Sequence, residues 1–136
     1  MYTYRIWNRR WPSAFWARYS WHIPHPLDLA MMRLAAAHLT GRHDFSSFQA
    51  TGSDARHAVR TVLHSSWREE DGLLVYEIEA HAFLRHMVRN IVGTLVDVGR
   101  GAMTVARFLE VLAARDRRLA GVNAPPHGLF LSEVKY

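Results

Sequence analysis

Two arginines set into an otherwise apolar segment are the first residues here whose chemistry asks for a partner. The run His81-Ala-Phe-Leu-Arg-His-Met-Val-Arg-Asn-Ile-Val-Gly-Thr-Leu-Val-Asp-Val-Gly-Arg-Gly101 reads as one long helix. At 100° per residue, Leu84, Met87, Val88, Ile91, Val92, Leu95, Val96 and Val98 share one wide apolar arc, which must be buried. Arg85 and Arg89 lie one turn apart at the edge of that arc, Arg89 beside Val92 and Val96. A guanidinium cannot shed its charge, so holding it against an apolar wall is costly unless an anion meets it. The expectation is that something anionic comes to this helix. The alternative is that both stems run along the wall and release their heads to water. His86 and Asn90 fall on the opposite, polar side and are expected at the surface.

Other groupings carry less. None of the nine histidines forms a His-x-x-x-His pair with a glutamate on a helix; His22 and His25 flank prolines, and His81 and His86 stand five apart, so no metal is expected. Ser46 and Ser47 beside His43 and Asp44 have the residue types of a hydrolase triad. Triads are assembled from separated elements, however, and local turn and cap hydrogen bonds account better for four neighbours in sequence. No phosphate-cradling glycine loop is present. Glu77 and Glu79 share a strand face at period two and read as solvated rather than as a general acid and base.

These side chains need a scaffold, and 136 residues with 49% hydrophobic content can bury a real core. Seventeen Lys and Arg against twelve Asp and Glu give +5, and all the cations but Lys135 are arginine. Arginine pairs bidentately with phosphate and stacks on bases, which favours a nucleic-acid partner, although a GC-rich genome produces the same bias. The absence of cysteine rules out disulfides and thiolate metal sites and suits the cytoplasm. No apolar run reaches membrane-spanning length and Met1-Tyr-Thr-Tyr-Arg5 has no signal-peptide pattern, so a cytoplasmic protein away from membranes is expected.

In chain order, Tyr2–Trp7 alternates as a strand that opens at residue 1, a hint that an upstream segment is missing. Asn8–Ser20 is a loop that interleaves Arg9, Arg10 and Arg18 with Trp11, Phe15, Trp16 and Tyr19; it could clamp a nucleic-acid backbone, or simply cover a core edge. Pro26 is placed to open a helix from Leu27 to Leu39, with Leu27, Met31, Leu34, Ala35 and His38 on one face and Gly41 as its stop. Gly41–Phe48 reads as a compact turn, and Gln49–His57 as a loop. Ala58–Trp67 and Leu73–His81 form a hairpin around Arg68–Gly72, and the long helix follows. Thr104 caps a helix to Ala114 with Phe108, Leu109 and Leu112 inward. A loop at Asn123–Gly128 leads to a last strand, Leu129–Tyr136. With no repeats and no linker, residues 1–136 are expected to form a single α+β domain, an antiparallel sheet with helices packed on one face.

Four separated motifs carry a resemblance. Arg42-His-Asp-Phe-Ser-Ser-Phe48, Arg60-Thr-Val62, Ala82-Phe-Leu-Arg-His-Met-Val-Arg-Asn-Ile-Val-Gly93 and Ala124-Pro-Pro-His-Gly-Leu-Phe-Leu131, with Val134 and Tyr136, occur in the order and spacing of the TruA family of tRNA pseudouridine synthases. The resemblance spans essentially the whole chain. It implies a cofactor-free, homodimeric enzyme that isomerises uridine to pseudouridine in the anticodon stem-loop of tRNA. It also implies roles: Arg89 resembles the basic partner of the catalytic aspartate, and Tyr2 the tyrosine that stacks on the flipped uracil and can serve in proton transfer. Leu129 resembles the apolar residue beneath the base, though it also suits an ordinary strand core. Arg9, Arg10, Arg18 and Arg56 are candidates for phosphate contacts. One departure is large, because the family's Gly-Arg-Thr-Asp-x-Gly-Val-His segment, with the nucleophile, is absent. Asp44 does not replace it, since Phe45-Ser-Ser-Phe48 marks a different, downstream motif. The chain is therefore expected to be the C-terminal portion of a synthase and inactive alone. A non-catalytic RNA-binding module derived from the synthase is the alternative.

Overall fold

The computed structural model describes residues 1–50 and 57–131. Period-two alternation builds its centre. Strand β1 (Tyr2–Trp7) turns Tyr4 and Ile6 into the core, and β5 (Leu73–Ala80) turns Leu74, Tyr76 and Ile78 the same way. Tyr4 stands opposite Tyr76, and Ile6 opposite Leu74, across the antiparallel ladder. Strand β4 (Val59–Glu70) keeps one face buried by a bulge between Val62 and His64: the extra residue shifts the alternation, so that Val62, Ser65 and Trp67 all lie inward. The β4–β5 turn is tighter than expected. The strands run to Glu70 and from Leu73, leaving Asp71 and Gly72, both in the left-handed region at φ 48° and 86°, as a two-residue reversal.

Three short strands complete the sheet. β3 (Gly41–Asp44) pairs with Val59–Val62, so half of the expected turn at Gly41–Phe48 is a strand, followed by a single 3-10 turn at Ser46–Phe48. β2 (Trp21–His22) runs parallel to Ile6–Trp7, and β6 (Leu129–Leu131) antiparallel to Tyr2–Tyr4, so the two share the outer edge of β1. The order is β2-β1-β5-β4-β3 with β6 beside β1, antiparallel apart from the β1–β2 pair. The rest of the expected last strand, together with Val134 and Tyr136, lies outside the described residues.

Three helices pack against the sheet. α1 (Leu29–Ala37) starts two residues later than expected, where Asp28 accepts a hydrogen bond from the Met31 amide at 3.1 Å. Its inward face is Met32, Ala35 and Ala36, with Leu39 buried just beyond its end, while Met31, Leu34 and His38 are exposed, so of the expected face only Ala35 is fully buried. α2 (Met87–Gly99) corrects the expected long helix: residues 81–86 form an irregular strap that ends at His86 in the left-handed conformation, φ 61°. The strap is held by the His81 amide donating to the Thr61 carbonyl and the Ala50 amide donating to the Arg85 carbonyl. α3 (Val105–Ala114) begins at the expected cap, Thr104, which accepts from the Arg107 amide at 3.0 Å. Phe108, Val111 and Leu112 are its buried residues, and Leu109 is half-buried. The buried apolar side chains of all three helices and the inward-facing apolar ones of β1, β4 and β5 belong to one cluster. Among the described residues no helix is long and apolar enough to cross a membrane.

Candidate active site

The strap, the first turn of α2, the head of β1 and β6 converge on a cavity of about 200 Å³ lined by Tyr2, Phe83, Leu84, His86, Met87, Val88, Arg89, Pro126 and Leu129. Tyr2, Arg89 and Leu129, singled out in the sequence, thus surround one space. Tyr2 meets Phe83 edge-on, with ring centroids 4.9 Å apart, and sits diagonally across the ladder from Leu129, which pairs with Tyr4. The walls are aromatic and aliphatic, suited to a flat ring. Arg89 is the lining's permanent charge.

Arg89 does not swing into solvent. It is half-buried, its Nε donates to the Ala124 carbonyl at 2.7 Å, and the Ala124 amide donates back to the Arg89 carbonyl at 3.1 Å. Among the described residues no carboxylate pairs with it, and no Asp or Glu lines the cavity. The terminal nitrogens therefore remain available to an anion entering the cavity. Next to it, the fully buried Tyr4 donates its hydroxyl to the Pro125 carbonyl at 2.6 Å. Burial raises the Tyr4 pKa well above the phenol range, against the opposing charge of Arg89, so this hydroxyl stays protonated. His86 feels the reverse: burial first, then the charges of Arg89 and Arg85, depress its proton affinity.

Behind the cavity, Asn90 is buried, not exposed as its place on the helical wheel implies. Its Nδ2 donates to the Phe48 carbonyl at 2.9 Å, and its Oδ1 accepts from Arg117 Nη2 at 3.0 Å. Arg117 also donates to the Gly121 carbonyl, and the Gly121 amide donates to Thr94 Oγ1. The segment before β6 is thereby fixed to α2. Asn90, Tyr4 and Phe83 were missed in the sequence; the Tyr2-x-Tyr4 pair was the available signal for one of them, since the second tyrosine faces the core by alternation.

The remaining candidates lie elsewhere. Arg85 is exposed and borders a separate polar cavity with His86, Asn90, Arg117 and Asn123. Arg9 and Arg10 follow Trp7, at the far end of β1 from Tyr2, and are exposed, as is Arg18. The aromatics of their loop divide: Trp16, with Phe130 of β6, flanks the Arg5 guanidinium at 5.6 and 4.4 Å, whereas Trp11 and Phe15 are exposed. Arg56 lies outside the described residues. Asp44 accepts from the Ser46 amide at 2.9 Å and pairs with Arg115 at 3.5 Å, beside α3 rather than Arg89. Ser47 donates to the Val111 carbonyl and accepts from the Asp116 amide, so it ties the 3-10 turn to the end of α3 across the fold, where only local turn and cap bonds were expected; the Asp44–Ser46 bond is local as expected. Among the described residues no three His, Asp or Glu side chains gather as metal ligands would.

A protein called tRNA pseudouridine synthase A from Myxococcus xanthus is 48% identical over 136 residues, covering 99% of this chain and 51% of that protein. Its namesake from Moorella thermoacetica is 46% identical over 135 residues, 99% of this chain and 55% of that one. The chain thus spans about half the length of the curated relatives it matches. The sequence profile described as tRNA pseudouridine synthase matches residues 35–136, the stretch that contains the strap, α2, Arg89 and Leu129, and the chain belongs to that family.

Proposed function

We propose that this chain forms one wall of a site that converts uridine to pseudouridine in the anticodon stem-loop of tRNA. The observation that carries the reading is the meeting of Tyr2, Arg89 and Leu129 around a cavity whose lining holds a cation and no carboxylate. The isomerisation moves the glycosidic bond from N1 to C5 of uracil, with a proton lost at C5 and one gained at N1, so it needs neither redox partner nor cofactor. An aspartate supplied by polypeptide outside this lining attacks the nucleotide. Arg89 holds that carboxylate ionised and oriented through its free terminal nitrogens. Tyr2 stacks on the flipped base and can relay a proton, and Leu129 supports the base from below. The working enzyme is a cytoplasmic homodimer in this reading, with Arg9, Arg10, Arg18 and Arg56 as candidate phosphate contacts.

The test is release of the C5 hydrogen from tRNA labelled at that position. The 136-residue chain alone is expected to release none above background, and the chain joined to the aspartate-bearing half of a relative is expected to turn over. Turnover by the chain alone would overturn the assignment of the nucleophile. RNA binding without turnover in the joined protein would favour a non-catalytic module.

A further inference from the structure

On the other side of the strap lies a second cavity, of about 530 Å³, lined by Arg42, His57, Val59, Arg60, Thr61, His81 and Ala82. It is built where β3, β4 and the end of β5 come together: Arg42 pairs with Thr61 across the ladder, and the His81 amide donates to the Thr61 carbonyl at 3.2 Å. Two guanidiniums and two imidazoles face it, and among the described residues no acidic side chain lines it. Arg60 is fixed in place, its Nη1 donating to the carbonyls of His57 and Val59 at 2.7 and 2.9 Å, while its buried Nε has no hydrogen-bond partner. Among the described residues neither Arg42 nor Arg60 has an ion-pair partner. A pinned guanidinium beside a second one, with no acidic partner among the described residues, is an arrangement that an oxyanion stabilises.

The neighbourhood narrows the choice of oxyanion. His81 and Ala82 line this cavity, and the next two residues, Phe83 and Leu84, line the base cavity, so one strap is the wall between the two. We propose that the cavity at Arg42, Arg60 and His81 holds a phosphodiester of the RNA strand next to the nucleotide whose base enters the Tyr2 cavity. This rests on the proposed RNA substrate. Arg60 supplies fixed charge, Arg42 an exposed side chain that can reach the backbone, and His81 a donor from the strap itself. The contact reads backbone rather than sequence, so it sets where the strand lies and leaves base choice to the cavity beyond the strap.

Binding of a fluorescently labelled anticodon stem-loop RNA to the 136-residue chain, followed by anisotropy from low to moderate salt, separates the possibilities. For Arg42→Gln and His81→Gln together, the slope of log affinity against log salt is expected to fall by about one, with a several-fold loss of affinity that is the same for unrelated stem-loops. Arg107→Gln, which removes a partner of Glu110 on α3, is the control and is expected to change neither. Melting temperatures establish that the variants are folded. Arg60→Lys, which keeps the charge but not the two-carbonyl fork, is expected to retain the slope and lose affinity. Wild-type affinity and slope in the folded double variant would overturn the phosphodiester site while leaving the RNA reading intact. Failure of the unaltered chain to bind any RNA would overturn that reading itself. Polyglutamate binding as tight as RNA, with the same loss in the double variant, would assign the cavity to an acidic protein surface and overturn the RNA assignment.

Discussion

Arg89 fastens the chain at Ala124 through Nε, and in the proposed function its terminal nitrogens meet an incoming carboxylate. Lysine at this position would keep the charge and lose the planar fork. In the joined enzyme, Arg89→Lys and Arg89→Ala are expected to lower kcat by about a hundredfold or more, while RNA affinity measured by anisotropy changes little. Equal losses in both would make Arg89 a phosphate contact instead. His86 reports on the same charge. Its depressed proton affinity means that the unfolded chain takes up a proton at a higher pH than the folded one, so its contribution to stability is present above the ordinary imidazole pKa of 6.5 and declines as pH falls below it. The His86 ring protons are expected to titrate below 6.5 in NMR spectra, and the midpoint to rise in Arg89→Gln; an unchanged midpoint would contradict the charge coupling. Arg89 was legible because its type conflicts with its place on an apolar arc. Asn90 was not, because a helical wheel places polarity outward and cannot foresee that Phe48 and Arg117 will satisfy a buried amide.

α2 shows the limits of periodicity in the other direction. Leu84 and Met87 continue the apolar arc into the strap and both are buried, yet the left-handed turn at His86 separates them, so the spacing that implied one helix joins a helix to an irregular segment. β2 and β3 were illegible for a different reason: two or four residues with polar members make no alternation to read. On α1 side-chain size is a poor guide to the face: Ala35 goes inward as expected, but it does so with Met32 and the small Ala36, while the larger Met31 and Leu34 stay exposed. On α2 the informative small residue is Gly93. A Cβ there would stand 1.6 Å from the Val122 carbonyl oxygen, so only a glycine lets the helix and the segment leading to Ala124 approach this closely at that point. Gly93→Ala must push that segment outward and is expected to cost about 3 kcal/mol in thermal or urea unfolding. Ala124 is the acceptor for Arg89, so the variant is also expected to weaken the positioning of the guanidinium. A cost below about 0.5 kcal/mol would mean that the segment is not held against the helix as described. At the start of α3, Thr104→Ala is expected to cost about 1 kcal/mol through the lost cap, measured in the same way.

The fold class followed from hairpin and helix patterns that survive errors at their boundaries, because β4 and β5 are two long strands joined by a turn and α2 is apolar enough to demand burial. Patterns of that kind report that a sheet and helices exist; how they interlock depends on contacts distant in sequence. Tyr76 illustrates the point. Its ring packs tilted against Trp67 with centroids 5.0 Å apart, it shares a hydrogen bond with Ser65 at 2.7 Å, and it stands opposite Tyr4, whose hydroxyl reaches Pro125, next to the cavity at Tyr2. Sheet, helices and cavity wall are therefore mechanically continuous through one buried cluster. The consequence is cooperative unfolding. Near-UV ellipticity, to which the Trp67–Tyr76 pair contributes, and far-UV ellipticity, which reports the helices and strands, are expected to lose their signals in one coincident transition, with a heat-capacity increment of about 1.8 kcal/mol/K for a chain of this length. Two separated transitions would mean that the helices and the sheet come apart independently, and the cavity between them would then open before the fold is lost.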